Sequence, residues 1–289
     1  MTYTILSHVR SLEELHRLIE KDPVSGTREA AKRVVEDVEA VVRNITEGSE
    51  LAISQVHTDA QSAAVKLTYE AEHAIEIMNK DTAKAADEIL RKAHSANPDD
   101  KKDLAREANG IIDSARQTSA ELNKRAETSI AHISEQAHSA AGNVQRVAED
   151  AIKKLIAAKD EAIEAISKAG KEAAEKLLLP AGANGQDADA HKKIKLAVAE
   201  VLKELSQVAD KLNLEAKSAF EDLKKTSKEA TVMVRRAAAK AAEMVQLAIH
   251  DAAEKILKVT GEAIRETGGD DAAFFDQTSL RDRLANHDR

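Results

Sequence analysis

The sequence predicts an all-α protein: three long antiparallel helices with an eleven-residue (hendecad) apolar repeat, forming an elongated rod or coiled-coil-like bundle. Three observations lead there. Alanine is the commonest residue and a third of the chain is charged (33%), largely Glu and Lys, a composition that favours long helices over an ordinary globular domain. Helix breakers are scarce, with 10 Gly and 3 Pro in 289 residues, and all the Pro and half of the Gly gather at a few positions where a missing N–H or a left-handed backbone ends a helix. Between those positions the bulky apolar residues return in steps of eleven.

At the N-terminus, residues 11–21 read as a short helix. Ser11 and Glu14 fit a capping box, and Leu12, Leu15, Leu18 and Ile19 form its apolar face. The stretch "KDPVSGT" (21–27), with Pro23 and Gly26, is expected to end it, so residues 1–26 form an N-terminal helix and linker. Residues 27–267 then hold three rods, at about 28–95, 100–178 and 189–266. They are separated by "SANPDD" (95–100) and "LPAGANGQDADA" (179–190), and "ETGGDD" (266–271) closes the last one. At 1.5 Å per residue each rod would be on the order of 100–120 Å long. The short Asn97-Pro98 break and the longer second connection both allow the chain to reverse.

Each rod carries one ladder. In the first the rungs are Val34, Ile45, Val56, Leu67, Met78 and Ile89. The second has Ile111, Leu122, Ile133, Val144, Leu155, Ile166 and Leu177; the third has Val201, Leu212, Leu223, Val234, Val245 and Ile256. Beside the rungs run rows of Ala, such as Ala115, Ala126, Ala137 and Ala148. A heptad does not fit: steps of seven from Ile111 meet Thr118, Arg125 and His132. Eleven residues in three turns is about 3.67 per turn, which keeps one apolar line on one face of a nearly straight, weakly right-handed rod. One strong rung per three turns makes a thin core. Association with further copies would add burial, so the sequence predicts a homo-oligomer held by rungs such as Leu122, Ile133, Leu155, Leu212 and Leu223. The tail, 268–289, follows a Gly268-Gly269 hinge. It carries Phe274 and Phe275, with Leu280 and Leu284 beneath a Thr278 or Ser279 cap, and is expected to dock onto a neighbouring copy.

Composition narrows the function. A net charge of −8 is the wrong sign for a nucleic-acid binder, and the Lys and Arg pairs have acidic neighbours, as solvated helix faces do. With 0 Cys there is no disulfide or thiol chemistry. No window approaches the ~20 apolar residues of a membrane span, and the N-terminus lacks a signal-peptide core; the expected location is the cytoplasm. The sharpest chemical pattern is a repeated Glu-x-x-His, Glu70 with His73 and Glu135 with His138, which in di-iron bundles projects inward. At about 98° per residue these groups fall on the outer faces, away from the ladder. No metal, cofactor or catalytic residue is expected, and the chain does not read as an enzyme.

The segment "AIKKLIAAKDEAIEAISKAGKEAAEKLL" (151–178) shows the eleven-residue pattern most strongly. It resembles a class of proteins: group 3 late-embryogenesis-abundant proteins, lipid-surface helices of the apolipoprotein and perilipin type, phasin-like granule coats, and rod-forming coiled coils. The resemblance implies no functional residue, but it frames the alternatives. The leading expectation is a non-enzymatic, self-assembling α-helical rod, filament or scaffold whose partner is itself. The alternatives are an amphipathic coat on a lipid or polyester granule and a stress protectant. Straight rods of equal length and the aromatic tail favour the first. The Ala-rich stripe and acidic charge count against a lipid face, which prefers bulky apolar groups and Lys or Arg.

Overall fold

A computed structural model of the chain describes residues 9–178 and 187–266, and within them the protein is all-helical. Among the described residues there are four helices: α1 (Val9–Lys21), α2 (Pro23–Ser95), α3 (Pro98–Leu178) and α4 (Asp187–Glu266). The proposed tail, with Phe274, Phe275, Leu280 and Leu284, lies outside the described residues, as do residues 179–186 and the side chains of Leu12 and Leu177.

The helix boundaries differ from the sequence reading in instructive ways. α1 starts at Val9, so Ser11 lies inside the helix instead of capping it. The expected break at 21–27 contracts to Asp22 alone, and Pro23 and Gly26 both belong to α2. Proline in the first helical turn sacrifices an N–H that has no intrahelical partner anyway, and its fixed φ suits the helix, so here it starts α2. Asp22 caps that start. Its Oδ1 accepts from the Val24 N–H at 3.0 Å and the Ser25 N–H at 3.3 Å, and its Oδ2 accepts from Ser25 Oγ at 2.6 Å. The same device recurs at Asn97-Pro98. Asn97 Oδ1 accepts from the N–H groups of Asp99 (3.2 Å) and Asp100 (3.0 Å), its amide donates to Asp100 Oδ2 at 2.6 Å, and the two carboxylates occupy the positive end of α3.

Gly26 sits where α1 folds back on α2. A Cβ there would lie 2.6 Å from Ile19 Cγ1 and 2.7 Å from the Ile19 nitrogen, so only glycine admits this approach. It lets Leu15 and Ile19 reach full burial.

The chain divides into two compact units, one of residues 1–54 and 141–230, the other of residues 55–140 and 231–289. In the first unit α3 and α4 are joined by Lys176–Glu200 and Lys211–Glu161 ion pairs. Numbers fall along α3 as they rise along α4, so the two segments run in opposite directions. Thr27 of α2 is pressed against Gly170 of α3, where a Cβ would come within 2.3 Å of the Thr27 hydroxyl. Gly48 of α2 faces Leu223 of α4.

In the second unit the α3–α4 seam carries Arg125–Asp251 at 3.1 Å and Lys255–Glu121 at 2.7 Å. Ser119 of α3 meets Asn79 of α2 at 3.3 Å, and Arg235 of α4 pairs with Asp59 of α2 at 3.7 Å. Among the described residues, two core clusters lie in its interior. One gathers Ala74 and Met78 (α2), Ala115 and Leu122 (α3), and Ala248, Ala252 and Ile256 (α4). The other gathers Ala86, Ile89, Ala108, Ile111 and Ala263. Each draws on all three long helices.

Candidate functional site

Every ladder rung whose side chain is described is buried, from Val34 and Ile45 at 0% exposure to Leu223 at 6%. Five of these were singled out for self-association. Leu122 and Ile133 lie in the core of the second unit, and Leu155, Leu212 and Leu223 in that of the first. The structure spends them inside one chain. Leu122, for example, packs with Met78 and Ile256. Any contact between copies that leaves the fold intact must therefore use other groups.

The outer faces are charged, with scattered apolar side chains: Leu51, Val65 and Tyr69 on α2, and Leu214, Met244 and Leu247 on α4 are all exposed. Val65 and Tyr69, four residues apart, share one face of α2, as i and i+4 positions do.

The seams between helices carry cross-helix ion pairs. The Lys255 ammonium, hydrogen-bonded to Glu121, holds that carboxyl below its ordinary value. Hydrogen bonds to Glu200 and Glu161 raise the Lys176 and Lys211 ammonium groups above theirs. Asp22 is held low by the Ser25 hydroxyl and then by the Ser25 N–H. All four groups face solvent; the three cross-helix pairs fix lateral register more than they add stability, and Asp22 caps the start of α2.

A groove of about 240 Å³ runs between α3 and α4 of the first unit. Ala151 and Ala219 are its buried residues, and its walls mix the carboxylates of Asp150, Glu215, Asp222 and Glu229 with the ammonium groups of Lys154 and Lys225. No single sign of charge converges there, and no nucleophile is paired with a base.

The two Glu-x-x-His patterns do not meet. His73 stacks on Tyr69 with ring centres 5.9 Å apart, and Glu70 pairs with Lys66 at 3.4 Å. His138 lies instead against His57, with ring centres 5.4 Å apart. Among the described residues no three His, Asp or Glu side chains converge in a manner that could hold a metal ion. The sequence reading passed over His57. Its signal was distance from the turn: His57 stands 41 positions before Pro98 and His138 stands 40 after it, so reversal at Asn97-Pro98 brings them level.

No helix among the described residues is long and apolar enough to cross a membrane. In comparisons with known proteins, no family model and no curated protein matches the sequence.

Proposed function

We propose that the chain is a non-enzymatic structural protein: a rod of three long antiparallel helices with hendecad packing that serves as a spacer or scaffold and assembles with further copies of itself. The observation that supports this most directly is the disposition of the ladder. The described rungs on α2, α3 and α4, eleven residues apart, are buried in the chain's own interior, an arrangement that a nearly straight helix with about 3.67 residues per turn would produce. The long helices thereby stiffen one another, and charged surfaces are left for lateral contact. Assembly then rests on exposed apolar groups such as Val65, Tyr69, Leu214 and Leu247, with the 268–289 tail as a further contact. Of these, Tyr69 is of the type enriched at interface hot spots.

Electron microscopy of the purified protein, with and without liposomes, tests the reading, with circular dichroism alongside. Helical protein that forms rods or filaments without lipid supports it. Protein that gains helix only on liposomes would instead make it a lipid-surface coat, and protein near random coil in dilute buffer a protectant. Deleting residues 268–289 should leave the helices folded and reduce self-association in sedimentation velocity, and Phe274→Ala with Phe275→Ala should do the same.

A further inference from the structure

We infer that His57 and His138 form a two-histidine site for a borderline-soft divalent transition ion such as Zn²⁺, clipping α2 to α3 in the second unit. The inference is independent of the assembly reading. The two imidazoles come from different helices, both are exposed, and their ring centres lie 5.4 Å apart with planes at 74°. That separation suits shared coordination. With a Zn–N bond of about 2.0 Å and a ring centre roughly 1.1 Å beyond the nitrogen, two imidazoles on one tetrahedral ion have centres about 5 Å apart.

The hydrogen bonding also favours a ligand. Nδ1 of His138 lies 3.2 Å from the carbonyl oxygen of Ser134. That oxygen can only accept, so the contact puts the proton on Nδ1 and leaves the Nε2 lone pair for an ion. Metal-bound histidines are oriented in this way, one nitrogen donating to a carbonyl while the other ligates. With no third His, Asp or Glu converging on the pair, water completes the shell. The site is thus an exchangeable one, fit for borderline N-ligated ions such as Zn²⁺, Cu²⁺ or Ni²⁺ and not for Mg²⁺ or Ca²⁺, which seek oxygen.

Titration of the full chain with ZnCl₂ by calorimetry tests this. One Zn²⁺ per chain is expected, with MgCl₂ giving no heat. His57→Ala and His138→Ala should each weaken zinc binding at least tenfold, whereas His73→Ala and His132→Ala, on the same two helices, should bind as wild type. Both of the first pair are surface substitutions, and circular dichroism checks that they fold. A zinc-dependent rise in melting temperature, lost in the His57→Ala/His138→Ala double variant, is the second expected result. If that double variant binds Zn²⁺ as tightly as wild type, or if His73→Ala loses as much affinity as His57→Ala, the inference is wrong.

Discussion

The two units share the same three long helices but fill their cores differently. In the second unit, every buried large aliphatic or Met side chain among the described residues is a ladder rung: Val56, Leu67, Met78 and Ile89 on α2, Ile111, Leu122 and Ile133 on α3, Val234, Val245 and Ile256 on α4. Alanine fills the intervals. The first unit adds bulk between its rungs. Val38 and Val41 lie between Val34 and Ile45, Leu205 and Val208 lie between Val201 and Leu212, Val198 precedes them, and α1 contributes Leu15 and Ile19. Burial stabilises by roughly 25 cal/mol per Å² of apolar surface, so the first unit has several side chains to share the load of any one rung. In the second unit only the rungs are fully buried bulk, and Ile75, Leu104, Ile112, Ile249 and Val259 pack against them partly buried. Alanine lets helices approach closely but buries little area. A single layer of the second unit should therefore be the weaker place.

The largest expected effect tests this directly. Leu122→Asp places a carboxylate beside Met78 and Ile256, at a cost of several kcal/mol unless the group is protonated or reached by water. Leu212→Asp in the first unit does the same beside layers that retain Leu205 and Val208. Thermal melts should show a larger loss for Leu122→Asp, and hydrogen exchange should show the opening confined to the unit that carries the change. Equal losses would mean that the extra bulk of the first unit is not shared between layers. Glu135→Gln, on a side chain 78% exposed, should be nearly silent.

Glycine substitutions sharpen the comparison at intermediate size. Gly170→Ala in the first unit would drive its Cβ to 2.3 Å from Thr27 Oγ1 and 2.9 Å from both Thr27 Cβ and Cγ2. Threonine is branched at Cβ and its hydroxyl is tied to the Pro23 carbonyl at 2.8 Å, so no rotamer relieves the clash. A loss of about 1–3 kcal/mol, the usual cost of overpacking, should appear in denaturant unfolding. Gly110 in the second unit and Gly142 in the first meet nothing within 4 Å. Ala at either should add up to about 1 kcal/mol by removing helix-interior glycine. The sign thus depends on contact and not on which unit holds the residue.

The smallest effect is on pH dependence. The Glu121 carboxyl is held below its ordinary value of 4.5. Its contribution to the second unit is present above that value and is lost as pH falls through the lower, folded value. Lys176 and Lys211 are raised above 10.5. Their contribution to the first unit is complete below that value and is lost as pH rises through the folded values. Acid should therefore loosen the Glu121 seam and alkali the Lys176 and Lys211 seams. Lys255→Met should flatten the acid limb of the melting curve, and 0.5 M salt should shrink both limbs.

The sequence by itself determined the helical class, because propensity and the rarity of breakers act locally, residue by residue, and need no partner. It also picked out which side chains would be hidden: all the described rungs are buried, since bulk repeated along one face has no favourable place in water. It misjudged Pro23 and Gly26, whose meaning depends on neighbours: beside the Asp22 cap a proline begins a helix, and under Ile19 a glycine permits a crossing. The tertiary structure alone decided that Leu122, Ile133, Leu155, Leu212 and Leu223 are covered by helices of their own chain. A ladder pattern is the same whichever helix covers it, because apolar burial has no direction. It alone also set Gly170 against Thr27 and His57 against His138, contacts between residues far apart in sequence that exist only once the helices have reversed and settled at one level.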